Sequence, residues 1–152
     1  MAKSFKVRSW VICDDVRFEG NGKHILVGVY PGAIRLRKPP PVPVSRLFVW
    51  LQLELTRVDY SEYELRIVDP REELVTRFRG QAKFKRTDEP ATLICSTGPL
   101  TIPGYGIYRV EFGMKTPPRL LGTFAVRPVE EAAPPESRLF SRLNVPALAR
   151  RH

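Results

Sequence analysis

The longest strongly apolar run of the chain, residues 47–55, has two different faces. Its odd positions are all apolar, whereas its even positions begin with Phe48 and Trp50 and become polar at Gln52 and Glu54. A period of two is that of a β-strand, and the proline cluster just upstream also favours a strand over a helix. We therefore expect an interior strand that is buried on both sides at its start, with Trp50 largely buried.

Two shorter apolar runs precede this strand, at residues 9–16 and 24–30, and a segment with two glycines lies between them. Apolar runs separated by a short glycine-containing turn are typical of a β-hairpin. Residues 33–37 then predict a short strand with Ile34 and Leu36 on one face. Four prolines within residues 38–43 cannot join a central ladder, so we expect a surface connection of polyproline character there.

The second half of the chain continues in the same period. Residues 74–86 keep one parity throughout, which predicts one long strand bulged at Gly80, or two shorter strands. Residues 92–97, 105–112 and 120–126 are further candidate strands, separated by Gly-Pro and Pro-Pro turns. The positions expected to face inward in this half are Tyr63, Leu65, Ile67, Leu74, Phe78, Ala82, Phe84, Tyr108, Val110, Phe112, Leu120, Phe124 and Val126.

No helical periodicity occurs before residue 128, and the chain of 152 residues contains 15 prolines and 10 glycines. These features predict an all-β fold, a single antiparallel β-sandwich of immunoglobulin-like or C2-like type, over residues 1–128. Residues 129–152 read as a Pro/Ala/Glu linker and an apolar-basic tail. Within this tail, residues 136–144 can form a short helix.

The formal net charge of +9 favours anionic partners without choosing among them. Because no apolar segment has the length of a signal peptide or a membrane helix, we expect a cytoplasmic protein with no membrane contact. Cys13, Trp50 and Cys95 follow the order found in immunoglobulin domains, where the two cysteines pair. Without an export signal, we expect two reduced, packed thiols instead.

The opening of the chain carries a resemblance. Residues 13–17 read Cys-Asp-Asp-Val-Arg, residues 21–23 read Asn-Gly-Lys, and residues 26–30 read Leu-Val-Gly-Val-Tyr before Gly32. This hairpin resembles a family of small bacterial domains of unassigned function, and the resemblance covers residues 9–127. It implies a β-sandwich of bacterial or phage origin, and it implies no activity and no catalytic residue.

An acidic cluster near the first turn is the one candidate for chemistry. Asp14, Asp15 and Glu19 could hold calcium, or serve an enzyme together with His24. The alternative is that the two aspartates cap backbone donors, since no Asp-x-Asp ligand run follows them. We assign no catalytic, cofactor-binding or metal-ligating residue, and no cofactor.

A row of cations is the most distinctive charge feature. Alternate positions of one predicted strand place cations at a spacing that can follow successive phosphates. Edge strands also carry Lys and Arg to prevent edge-to-edge pairing, and no aromatic residue interleaves on this face to stack on bases. The candidate polyanion face consists of Arg77, Arg79, Lys83, Lys85 and Arg86.

The tail carries a second candidate interface. A helix over residues 136–144 would place Leu139 and Leu143 on one face, and it is too short to be stable alone. We expect it to bind another protein or a second copy of this chain. The candidate tail interface consists of Leu139, Phe140, Leu143, Val145 and Leu148.

Taken together, these patterns predict a non-enzymatic protein-interaction or assembly module of a bacterial or phage cytoplasmic system. Its expected partner is another protein, or the same chain by self-association. The alternative is a nucleic-acid or polyanion-binding β domain that uses the basic strand face. A third hypothesis is an enzyme with its site at the acidic loop.

Overall fold

The computed structural model describes residues 5–57 and 60–130. These residues form eleven strands and one short 3₁₀ turn, Gly20–Gly22, and contain no α-helix. No helix in these two ranges has the length and apolar character needed to cross a membrane. The strands are β1 Phe5–Phe18, β2 His24–Val29, β3 Ala33–Leu36, β4 Val42–Val44, β5 Phe48–Leu55, β6 Tyr60–Val68, β7 Leu74–Lys83, β8 Ala91–Ser96, β9 Leu100–Ile102, β10 Gly106–Met114 and β11 Arg119–Pro128.

Two large sheets and one small sheet make up the fold. We call the four-stranded sheet, with the order β2-β1-β5-β8, the first sheet. The second sheet has the order β3-β11-β10-β6-β7, and β4 and β9 form a two-stranded sheet of their own. The strand pairings are antiparallel, as expected, except that β11 pairs with β3 in parallel at one edge of the second sheet.

The core lies between the two large sheets, as expected of a sandwich. The inward face of β5 is fully buried at Val49, Leu51 and Leu53, which confirms the predicted interior strand. Aromatic rings from the first sheet reach the second, because Phe5 lies edge-on to Phe112 with 5.5 Å between ring centroids. The all-β sandwich predicted from the sequence is therefore confirmed.

The even face of β5 differs from the prediction. Trp50 and Phe48 are half-buried rather than largely buried, because no further layer of described residues covers this side of the first sheet. The proline-rich connection also differs, since Val42–Val44 forms a strand that pairs with β9. Its two-stranded sheet lies outside the main ladders, where a proline can be accommodated.

Three details of the second sheet correct the sequence pattern. Leu120 was expected inside and is 61% exposed, because the β10–β11 register shifts between Val110 and Glu111 and reverses the local parity. Leu74, at the end of β7, is also exposed. The β6–β7 pairing runs through Gly80 without a bulge, and the ring of Tyr63 occupies the space that a side chain at Gly80 would need.

Candidate protein-interaction surface

The hairpin of β1 and β2 is built around a tight turn. Asn21 and Gly22 take positive φ angles of 82° and 72°, which Asn and Gly tolerate better than other residues. The amide N–H of Glu19 donates to the carbonyl of Lys23 at 2.9 Å and closes the turn. This turn sets a register in which Val27 lies opposite Asp15 on β1.

The solvent-facing side of β2 carries a row of three apolar residues, which we call the β2 row. Ile25, Val27 and Val29 are 43%, 36% and 47% exposed. Among the described residues, β2 pairs with β1 alone, so its other edge has no strand beside it. The six residues of the strand include no Asp, Glu, Lys or Arg that would discourage pairing at this edge.

The other sheet edges are protected in different ways. The outer edge of the second sheet is β7, which carries Arg77, Arg79 and Lys83. The opposite edge is β3, which has four residues and includes Arg35. Strand β8, the second edge of the first sheet, exposes no large apolar side chain. Of the four edge strands of the two large sheets, β2 alone exposes large apolar side chains and contains no charged residue.

The apolar character continues from the β2 row across the outward face of the first sheet. Cys13 pairs with Val29 on one side and with Phe48 on the other, so these three residues share that face. Further along the strands, Trp50 lies between Val11 and Ile94, and all three are half-buried. An outward sandwich face is usually polar; this one is polar at Asp15, Arg17, Gln52 and Glu54, and its apolar part around Cys13, Phe48 and Trp50 is the unusual feature.

Two contacts connect the hairpin tip to this face. The indole Nε1–H of Trp50 donates to Nδ1 of His24 at 3.1 Å. The ring of His24 also lies edge-on to Phe18, with 5.0 Å between centroids, and Phe18 is 72% exposed. His24 therefore acts as a structural link here, since Nδ1 already accepts a hydrogen bond.

The acidic cluster predicted from the sequence is divided by the strand. Asp14 and Asp15 are consecutive in β1 and point to opposite faces. Asp14 accepts a hydrogen bond from the hydroxyl of Tyr30, and Asp15 lies 3.4 Å from Nε of Arg17. In residues 5–57 and 60–130, no three His, Cys, Asp or Glu side chains come together to hold a metal ion. The structure thus does not gather these residues into one site.

Tyr30 is the residue whose titration responds most clearly to this arrangement. Burial, and after it the hydrogen bond to Asp14, raise the pKa of Tyr30 to about 12. The carboxylate of Asp14 occupies the space above Gly28, whose φ is +66°. A side chain at position 28 would collide with this carboxylate, so glycine allows the Asp14–Tyr30 bond to form across β2.

The two cysteines are free and buried, as expected. Cys13 lies opposite Phe48, and Cys95 lies opposite Val49, which is the next residue on the opposite face of β5. The sheet therefore separates the two sulfur atoms and a disulfide does not form. Burial raises the pKa of Cys95 to about 12 and also raises the pKa of Cys13, so both remain thiols at neutral pH.

The candidate polyanion face is largely paired with carboxylates. Arg77 and Arg79 lie 3.1 Å and 3.0 Å from the same side chain, Glu64 of the neighbouring β6. Lys85 and Arg86 lie beyond the end of β7, and Arg86 donates to Asp88 at 2.9 Å. The row of cations predicted on one strand is therefore shorter than expected, and three of its five members bond to acidic neighbours.

These ion pairs extend across the outward face of the second sheet. Arg66 lies 3.5 Å from both Glu64 and Glu111, and Arg109 binds Glu72 through two hydrogen bonds. The Arg109 guanidinium lowers the pKa of Glu72. A groove of about 810 Å³ crosses this region, lined on its polar side by Glu62, Glu64, Arg79, Gln81 and Lys115. Mixed charge makes this face a poor match for a polyanion.

A second, smaller depression lies where the described chain ends. It has a volume of about 500 Å³ and is lined by Tyr105, Ile107, Pro128 and Glu130, among others. Glu130 also lies 3.6 Å from Arg35. The candidate tail interface of Leu139, Phe140, Leu143, Val145 and Leu148 lies outside the described residues.

Sequence reasoning missed the β2 row as a candidate site. The pattern of residues 24–30 predicted a strand in a hairpin, and this strand is confirmed, but its place at a sheet edge depends on contacts distant in sequence. One signal was present: the segment contains four large apolar residues and no Asp, Glu, Lys or Arg, which is unusual for a strand that faces solvent.

Comparison with known proteins adds one match. Residues 8–117 match a family described as "Family of unknown function (DUF6941)"; the match covers the first sheet, including the β2 row, except the first three residues of β1, and the second sheet except β11. No curated protein matches the chain.

Proposed function

The chain belongs to the DUF6941 family, whose function is unknown, and we propose from this premise that it is a non-enzymatic protein-interaction module. Its binding surface is the β2 row together with the apolar outward face of the first sheet. The partner is another protein or a second copy of the chain. The proposed setting is the cytoplasm of a bacterial or phage system: the origin is proposed from the sequence resemblance, and the compartment from the expectation stated for the sequence.

One observation carries this proposal: an edge strand without a charged residue exposes three large apolar side chains in a row. Single exposed apolar residues are ordinary, but an apolar row at an open strand edge promotes association. The two outward faces of the sandwich also differ sharply. The outward face of the second sheet carries several ion pairs. The outward face of the first sheet carries the β2 row and the half-buried Trp50 and Phe48. A surface of the second kind favours binding to protein.

The proposal is tested by capture with matched variants. Val29→Lys places a charge in the β2 row, and Val129→Lys is its control because both valines are 47% exposed. The full-length wild-type chain and the Val129→Lys variant should retain the same protein at stoichiometric amounts. Val29→Lys should lose it while its circular dichroism and melting temperature stay unchanged, since the residue is at the surface.

The protein retained is then identified, purified and titrated against each variant. Equal affinity for the wild-type chain and for Val29→Lys would contradict the proposed surface. The absence of any stoichiometric protein partner, self-association included, would contradict the proposed function.

A further inference from the structure

The unpaired edge of β2 is suited to a strand of its own sequence. An edge strand presents backbone N–H and C=O groups to solvent, and an antiparallel copy of it supplies the matching groups about a two-fold axis. We propose that β2 pairs with β2 of a second copy of this chain, which joins two four-stranded sheets into one of eight strands. This proposal rests on the proposed function and specifies its partner.

The exposed side chains select the register of this pairing. With the two-fold axis at Val27, Val27 faces Val27 of the second copy, and Ile25 faces Val29 of the second copy on both sides of the axis. Directly opposite residues of antiparallel strands lie on the same face, so all six exposed apolar side chains meet in three cross-strand pairs. A register centred on Leu26 would instead place Val29 opposite Lys23, so that Val29, one of the three residues of the β2 row, would have no apolar partner.

Charge also favours a second copy at this edge over other arrangements. Two chains of net charge +9 repel each other, and the repulsion is smallest where the paired strands carry no charge. Pairing through β7 would bring Arg77, Arg79 and Lys83 of two copies together. Recognition of an acidic partner would require cations in β2 that pair with its carboxylates, and residues 24–29 contain no Lys or Arg.

The burial of the neighbouring strand supports the same geometry. At Val29 the side of β2 that faces β1 is covered, because Cys13 opposite it is 0% exposed, whereas Val27 and Ile25 lie opposite the ion pair of Asp15 and Arg17. The row is thus exposed toward the open edge and the outward face, which are the two directions that a second copy would cover.

The test is sedimentation velocity on the full-length chain, over about 1 µM to about 500 µM, the range in which a small interface is expected to associate. The wild-type chain should form a dimer, and added salt should strengthen it because salt screens the repulsion between the two basic copies. A complex with an acidic protein would respond to salt in the opposite direction.

Three variants test the axis. Val27→Lys and Val27→Glu each place two like charges opposite each other at the axis, and each should weaken the dimer by about tenfold or more in Kd. An equimolar mixture of the two variants should restore a heterodimer, since Lys then faces Glu. Val129→Lys, with the same residue types and comparable exposure, should dimerise as the wild-type chain does.

Each outcome decides the proposal. A wild-type chain that stays monomeric at all concentrations overturns it, as does a Val27→Lys variant that dimerises normally. Failure of the mixed variants to associate overturns the axis at Val27. Circular dichroism verifies that each variant is folded, and Val29→Lys, which faces Ile25 of the second copy, replaces any variant that is not. If the chain does not self-associate but still captures another protein, and Val29→Lys loses that protein, only the self-pairing proposal is overturned. The two proposals can therefore fail separately.

Discussion

At the scale of single residues, the exposure of each apolar side chain separates core from surface in ways that residue type does not. Leu51 and Leu120 are the same residue in two strands, yet Leu51 is fully buried between the sheets and Leu120 is 61% exposed. A buried leucine contributes transfer free energy and fills volume, whereas an exposed one contributes little to stability. The pair therefore provides a matched measurement of the sandwich core.

Truncation of these two leucines gives the first prediction. Leu51→Ala should lower the free energy of unfolding by about 2 to 5 kcal/mol, because it leaves a cavity at the centre of β5. Leu120→Ala should change it by less than about 0.5 kcal/mol, as is usual for a surface position. Urea denaturation of both variants measures the difference. Equal losses would mean that β5 is not the interior strand or that Leu120 is covered.

At the scale of the elements, neighbouring strands determine what a charged row can do. Strand β7 carries a row of cations, which suggested a polyanion-binding face from the sequence. Its neighbour β6 places Glu64 between Arg77 and Arg79, and Glu62 accepts a hydrogen bond from Gln81 at 3.2 Å. Glu64 therefore offsets part of the charge of the two arginines, and cations on an edge strand also discourage edge-to-edge pairing.

The pairing of Arg77 and Arg79 with Glu64 predicts the effect of removing this carboxylate on DNA binding. Glu64→Gln should increase the retardation of double-stranded DNA at low salt relative to the wild-type chain, because Arg77 and Arg79 lose their shared carboxylate. Glu54→Gln makes the same charge change on the first sheet and should leave retardation unchanged. Gel-shift titrations at two salt concentrations compare the three proteins. If Glu64→Gln and Glu54→Gln behave alike, the ion pairs do not mask the row.

At the scale of the whole molecule, the two outward faces of the sandwich differ in their polarity. The second sheet presents an ion-paired surface, and the first presents the β2 row and a half-buried aromatic face. Among the described residues, the buried members of the core cluster between them lie within residues 12–126, and Phe5, Val7 and Trp10 pack against this cluster. Beyond it, Val129 donates its amide N–H to the carbonyl of Leu36 at 3.0 Å.

The position of the core predicts the effect of removing residues 131–152 on stability. A chain that ends after Glu130 should keep its melting temperature within about 2 °C, because the buried core and the contact of Val129 with β3 are retained. Sedimentation velocity on the same shortened chain reports whether residues 131–152 take part in assembly. A fall of the melting temperature by about 5 °C or more in a monomeric protein would show that the tail belongs to the core of the domain.

The sequence by itself determined the local structure. Strict alternation located β5, β6 and β10, and the two-glycine turn located the β1–β2 hairpin with its correct partners, because period and turn geometry are local properties. It also predicted the sandwich, since alternating strands with one apolar face must pack that face against another sheet. The opening hairpin was enough to indicate an uncharacterised family, which the match over residues 8–117 confirms.

Only the tertiary structure decided which strands lie at edges, which faces stay uncovered and which charges meet. The outward exposure of the β2 row depends on the order β2-β1-β5-β8, and no local pattern contains that order. Leu120 faces outward because a register shift in the β10–β11 pair reverses parity, and the ion pairs of the basic row escape the sequence pattern because Glu64 belongs to a different strand. Each of these outcomes is set by residues far apart in sequence, since pairing and packing act between strands whereas a sequence pattern describes one strand at a time.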